Sequence, residues 1–278
     1  MELKKITDQV YYLDAPANIG LLSTADKEAL LIDAGLDEST GKKVWRQLES
    51  QGFQLKGIII THAHADHFGG AEFLVKKTKA KLYAPPMEKA VLDHPLWEPI
   101  YLFGGAQPPL AMQNKFLLAP ASPGSQTLSL GKQTIENIQL EIVPLPGHSW
   151  QQIGVSYNQV LFCADAVFAP EVIKKHGIPL FSHLKATWET FQLLMTRTEK
   201  YFLPAHGSLV EDIGPLVETN RNCLEAVQNY LLLILTTPLT TEKILAECCQ
   251  EWGISLTNQG QYYLMQATIL AYLSYLFN

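Results

Sequence analysis

Apolar residues early in the chain fall into short runs, "QVYYLD", "IGLLST", "EALLIDA" and "GIII", each too brief for a helix and rich in branched side chains. Each predicts a β-strand. Helical periodicity appears after residue 67 and at 39–51, 186–198 and 214–233, and a second strand set follows in "LSLGK", "LEIVPL", "IGVSY" and "VLFCAD". Strands mixed with helices at such intervals predict an α/β sandwich, with Gly35, Gly52, Pro146 and Gly147 turning the chain at element ends. From about residue 213 the pattern is wholly helical and ends in "QYYLMQATILAYLSYLF", apolar on nearly every side. We therefore expect a main domain at 1–212 and a C-terminal helical domain at 213–278.

Composition narrows the partners. A chain of 278 residues can bury a sizeable core without a disulfide or a structural metal. With 27 acidic against 21 basic residues the net charge is -6, which gives no general attraction to nucleic acid or to an anionic membrane. A small-molecule substrate is the expectation. Cys163, Cys223, Cys248 and Cys249 form no C-x-x-C pair, and "MELKKITDQVYYLD" has no apolar stretch of a secretory signal, so a cytoplasmic protein with reduced thiols is expected. Gln266, Thr268 and Ser274 interrupt the last helix and no basic residues flank it, which favours a buried or partner-facing helix over a membrane span. A homodimer through the C-terminal helices and simple interior packing explain it equally. Residues 94–124, rich in Pro, Gly and aromatics, form either a lid-like insert over a site or a surface excursion packed on itself.

The chemistry concentrates in "THAHADHFGG", directly after a strand. His62, His64, Asp66 and His67 are four candidate metal ligands in six residues, and imidazole nitrogen with carboxylate oxygen suits zinc and other divalent first-row metals. In an extended stretch His62 and His64 point the same way, while Asp66 and His67 lie past a turn, so two ions are expected. Further donors stand at the ends of later strands: His148 in "PLPGHSW", Asp165 in "LFCADAVF" and His206 in "FLPAHG". Asp33, ending "LLID", either orients a ligand histidine or caps a turn. His94, His176 and His183 read as ordinary solvated or hydrogen-bonded histidines, with His183 the one placed to line a pocket.

This ordered set resembles the metallo-β-lactamase superfamily over roughly residues 5–212. The resemblance implies a four-layer αββα sandwich with metals at one edge and a small C-terminal helical appendage. It implies His62, His64 and His148 on a first ion, Asp66, His67 and His206 on a second, and Asp165 between them. Two divalent ions, zinc first and iron or manganese as alternatives, would then activate a bridging hydroxide for hydrolysis, with Asp66 as proton carrier. Members that hydrolyse antibiotics usually carry cysteine or serine in place of the bridging aspartate, so a β-lactam is a poor guess. The full set looks more like the glyoxalase II branch, with a small ester, thioester or lactone as substrate. The tail lacks that branch's basic character, having Arg221 and Lys243 against Glu218, Glu225, Glu242, Glu247 and Glu251. "GHSW" and "AD" also depart from the usual "GHTPG" and "GD", so Trp150 is expected to crowd or line the pocket, and the insert contributes the aromatics Trp97, Tyr101 and Phe103. Two other activities of the same fold are alternatives: a mononuclear iron persulfide dioxygenase, opposed by the retention of His206, and an RNA-processing phosphodiesterase, opposed by the acidic charge.

Overall fold

The computed structural model describes residues 1–278. In the first sheet β1 (Leu3–Thr7), β2 (Val10–Leu13), β3 (Ile19–Ser23) and β4 (Glu28–Ile32) are antiparallel neighbours, and β5 (Gln54–Ile59), β6 (Lys81–Ala84) and β7 (Gln126–Thr127) extend it in parallel. The second contains β8 (Gly131–Ile135), β9 (Ile138–Pro144), β10 (Ile153–Tyr157), β11 (Val160–Ala164) and β12 (Tyr201–Pro204), ordered β12-β11-β10-β9-β8. The helices are α1 (Glu38–Ser50), α2 (Ala65–Phe68), α3 (Ala71–Thr78), α4 (Pro86–Asp93), α5 (Trp97–Leu102), α6 (Pro170–His176), α7 (Leu184–Thr196), α8 (Gly214–Ile234), α9 (Thr241–Glu251) and α10 (Gln259–Phe277).

The layers follow from the two-residue period of the strands. Leu22, Leu30, Ile32 and Ile59 face the other sheet, where Leu140, Ile142, Val155 and Phe162 meet them in one buried cluster. Their sequence neighbours Leu21, Leu31 and Ile58 point the other way, against Val44 and Leu48 of α1 and Leu74 of α3. Val143, Leu161 and Phe202 on the outer face of the second sheet meet Phe191 of α7, Leu224 of α8, Leu245 of α9 and Tyr272 of α10. Helix, sheet, sheet and helix thus stack as an αββα sandwich. Strands buried on both faces read as continuous apolar runs, which is why the period-2 alternation is faint in the sequence.

Several boundaries differ from the sequence pattern. The sequence pattern does not announce β1, because its side chains are only partly buried and Lys4 and Lys5 mask the signal. "LSLGK" predicts one strand, yet Leu128 plugs the inter-sheet core, Leu130 is 62% exposed, and β8 begins at Gly131. The helix expected after residue 67 starts at Ala65 and breaks at Gly69–Gly70. A Cβ on Gly69 would lie 1.8 Å from the Leu36 carbonyl oxygen, so only glycine permits this approach of the two loops.

Residues 94–124 contain α5 and a 3-10 turn at Leu110–Met112. Leu102, Met112 and Leu117 make a small separate cluster with Tyr263, Leu264 and Ala267 of α10. α10 therefore buries one stripe in the main core and offers another to the insert, which accounts for most of its all-round apolar character, while Leu270 and Phe277 face outward at 50% and 73% exposure. No helix is long and apolar enough to cross a membrane.

Asp37 caps α1 by accepting from the Thr40 N–H at 3.0 Å, and it pairs with Lys115 of the insert at 2.9 Å. Lys115 and the Thr40 N–H hold its carboxyl down at about 2 against an ordinary 3.8. The stabilisation is therefore complete above pH 4 and disappears as pH falls toward 2. Asp37→Ala is expected to cost about 1 kcal/mol at pH 7 through the lost cap. Urea midpoints for the two proteins should differ at pH 7 and converge as pH falls through about 2.

Candidate metal centre

Strand direction brings the chemistry to one edge. β4 and β5 are parallel, so Asp33 and Thr61–His62 leave the first sheet side by side. β9 and β11 both run antiparallel to β10, and β12 runs parallel to β11, so His148, Asp165 and His206 all follow strand ends at the same edge of the second sheet. His64 remains extended (φ -83, ψ 146) and Ala65–Phe68 is one helical turn, which sends Asp66 and His67 to a different side from His62 and His64. Asp33 (φ 66) and Ala164 (φ 49) occupy left-handed backbone. The alanine carries a cost of about 1 kcal/mol where the usual glycine would be free, and the turn it makes aims Asp165 inward.

The seven predicted donors converge. His62 Nε2 is 3.1 Å from His64 Nδ1, which is 2.8 Å from His148 Nε2. His206 Nε2 is 3.2 Å from Asp66 Oδ2, and His67 Nε2 is 3.8 Å from Asp66 Oδ1. Asp165 stands between these groups: its Oδ1 is 3.6 Å from His67 Nε2, and its Oδ2 is 3.4 Å from His148 Nε2 and 3.5 Å from His206 Nε2. Three donor sets result, each within 4.8 Å internally: His62, His64 and His148; Asp66, His67 and His206; and His62, His67 and Asp165.

Four imidazoles are fixed from behind. His67 Nδ1 donates to Asp33 Oδ2 at 2.8 Å, His148 Nδ1 to the Leu180 carbonyl at 2.7 Å and His206 Nδ1 to the Pro16 carbonyl at 2.7 Å. His62 Nδ1 lies 3.2 Å from the Thr61 hydroxyl, itself donated to Asp33 Oδ2 at 2.8 Å. With the outer nitrogen carrying hydrogen, each Nε2 turns a lone pair inward. Asn18 holds the His206 loop through the carbonyls of Pro204 and Gly207 at 3.0 and 2.8 Å.

This donor set fits metal ions on two structural grounds. Three acceptor nitrogens, with His64 Nδ1 lying 3.1 Å from His62 Nε2 and 2.8 Å from His148 Nε2, repel unless a cation lies among them, and one proton on His64 Nδ1 can serve only one neighbour. The buried atoms His67 Nε2 and Asp165 Oδ1 have no hydrogen-bond partner, a cost that coordination removes. The electrostatics divide in the same way. Burial, joined by the neighbouring imidazoles, holds His62 well below the usual histidine range and His64 at about 3, and burial also lowers His148. Burial opposes charge on His67 and His206 too, but Asp66 and Asp165 outweigh it, placing His67 well above the usual range and His206 at about 9. Asp66 and Asp165 are held well below the carboxylate range, burial being overcome by His67 and His206.

Other side chains take the positions the sequence left open. Asp33 accepts from the Thr61 N–H, the Thr61 hydroxyl and His67. His94 ends α4, His176 is exposed at the end of α6, and neither joins the donor sets. His183 caps α7, its Nδ1 accepting from the Ala186 N–H at 3.0 Å, and its ring packs on Trp150 at 5.0 Å beside the His148 loop. Glu88 and Glu98, both buried, were missed. Burial, with Asp66 and Glu88 near, pushes the Glu98 carboxyl well above its usual range. A glutamate in a helix's first turn ordinarily reads as a solvated, dipole-favoured charge, so the sequence carried no signal of burial.

Comparison with known proteins agrees with this fold. The family model described as "Metallo-beta-lactamase superfamily" matches residues 13–206. A hydroxyacylglutathione hydrolase of Methylobacillus flagellatus is 38% identical over 50% of this chain and 43% of its own length, and one of Dechloromonas aromatica is 27% identical over 74% of this chain and 64% of its own. The alignments thus span less than two thirds of these curated relatives. A beta-lactamase domain protein from Burkholderia ambifaria has the same fold, with a TM-score of 0.78 at 19% identity, covering 99% of this chain and 89% of its own. The likeness includes the terminal helices.

Asp33→Ala strips acceptors from two buried Thr61 donors and from His67, and places alanine in left-handed backbone. Chelator-treated protein should lose about 3 kcal/mol in urea unfolding. Asp33→Asn, which tolerates that backbone and keeps one carbonyl acceptor, should lose less.

Proposed function

Because the chain belongs to the metallo-beta-lactamase superfamily, we propose that it is a metal-dependent hydrolase of a small thioester, ester or lactone, with two divalent ions at the Asp165 edge. The observation that carries the proposal is the placement of Asp165 within 3.4 to 3.6 Å of donor nitrogens from both sets. His62, His64 and His148 would hold one ion and Asp66, His67 and His206 the other, with Asp165 shared. Zinc suits these donors first, and iron and manganese are acceptable. When bound, the pair supplies Lewis acidity toward the substrate oxygen and acidifies a water toward neutral pH.

The protein's own groups supply the rest. The pinned outer nitrogens keep the imidazoles from rotating, so the electrostatic field is organised before substrate arrives. Asp66 is the most open of the acidic donors, its side chain 38% exposed, with Oδ2 engaged by His206 at 3.2 Å and Oδ1 farther from its neighbour at 3.8 Å. Asp66 Oδ1 is accordingly the atom proposed to take and return a proton at the mouth of the site. Trp150 and His183 form an aromatic flank beside His148 on which an acyl group can rest. A thioester leads among the substrates because hydroxyacylglutathione, named for the relatives above, is an acyl thioester.

Purified protein is expected to carry about two divalent ions per chain and to lose thioesterase activity by at least 100-fold with chelator, recovering when metal returns. Asp66→Asn should lower kcat by about 100-fold or more at neutral pH. Less than one tightly held ion, with no turnover of thioesters, esters or lactones, would overturn the proposal. Oxygen uptake with a persulfide would instead support the mononuclear iron alternative.

A further inference from the structure

Glu88, in the first turn of α4, is 4% exposed and outside every donor set. Its two oxygens reach different loops. Oε2 accepts from the backbone N–H of Ala63, the residue between His62 and His64, at 2.9 Å. Oε1 accepts from the Ser149 hydroxyl and from the Gln151 N–H at 3.1 Å, in the segment just after His148. The link is reciprocal, since the Gln151 side-chain oxygen accepts from the Met87 N–H at 2.8 Å. Three donors at one buried carboxylate make its desolvation tolerable, and bonds to a charged acceptor are about twice as strong as neutral ones.

The two loops belong to different sheets, and their ligands form the set His62, His64 and His148. Apart from the ring contact between His64 and His148 that an ion would replace, their tie near the ligands is the backbone bond from the Ile153 N–H to the Thr61 carbonyl at 3.1 Å, which precedes His62 and does not reach His64. We propose that Glu88 is a positioning residue for the first ion: it clamps the His62–His64 loop to the His148 loop and sets the spacing of that nitrogen trio. The inference rests on the two-ion proposal above and adds a determinant of affinity at one of the two sites. No hydrogen bond of Glu88 reaches Asp66, His67 or His206, so the second site should not depend on it.

The test is a zinc titration of chelator-stripped protein against a chromophoric competitor, for wild type, Glu88→Gln and Ser149→Ala. A glutamine retains the shape but presents an NH2 group toward N–H or O–H donors on one side, breaking one half of the clamp. Glu88→Gln should raise the dissociation constant of one binding event by 10- to 100-fold and leave the other unchanged. Ser149→Ala should weaken the same event by less. The affected event is assigned with His148→Ala, which lacks a ligand of the first site. Urea midpoints in excess chelator accompany each variant to register loss of scaffold stability. Two unchanged constants in Glu88→Gln would overturn the clamp, as would equal weakening of both events. A wild type that takes up a single zinc would defeat the two-ion proposal, and the clamp would then stand or fall on whether Glu88→Gln weakens that one.

Discussion

Lone pairs of several nitrogens and oxygens cannot be gathered in a buried space unless something prevents the side chains from turning away. In this protein the restraint is a ring of outward hydrogen bonds: His67 to Asp33, His62 to Thr61, His148 to Leu180 and His206 to Pro16. Each bond fixes a tautomer as well as an orientation, because the nitrogen that donates outward leaves its partner as an inward acceptor. Asp33 is the most connected member. Its carboxylate joins the strand end that precedes His62 to the helical turn that carries His67, coupling members of both candidate donor sets through one buried group.

The sandwich supplies positions that such a ring needs. Parallel pairing in the first sheet and the matched directions of β9, β11 and β12 in the second deliver five strand ends to a common edge. Strand ends are where the backbone can leave the ladder without orphaning its own N–H groups. The price is local strain, visible in the left-handed Asp33 and Ala164, and close approach, visible where a Cβ on Gly147 would sit 2.4 Å from the Thr187 hydroxyl just before His148. The packed layers on either side absorb these costs, since the residues preceding both aspartates are fully buried in strands.

The donors were legible in the sequence because their chemistry is unusual where it occurs: histidines and aspartates crowded after an apolar strand, or standing alone after one. The layered fold was legible for the same reason that the strands were, from apolar runs of strand length between helical periods. What supports the donors was not legible. Thr61 is an ordinary residue in a β-rich stretch, Pro16 and Leu180 contribute only carbonyl oxygens, and Asn18 and Glu88 look like solvated polar residues. Their roles come from three-dimensional adjacency between loops of different sheets, which no local period encodes. Asp33 lay between these cases, since a carboxylate at a strand end serves equally as a turn cap until its partner is known.

The insert and the terminal helix form a second level of support. Leu102, Met112 and Leu117 fill a small apolar seam against Tyr263, Leu264 and Ala267, so α5 is seated on α10 rather than on either sheet. Glu98 belongs to that same helix, and its carboxyl is buried near enough to Asp66 and Glu88 for their charges to raise it. Burial and those two carboxylates together disfavour a further negative charge on Glu98 at this edge. The all-round apolar surface of α10 thereby gains a physical rationale inside one chain: one stripe closes the main core, and another seats the segment that carries the buried Glu98.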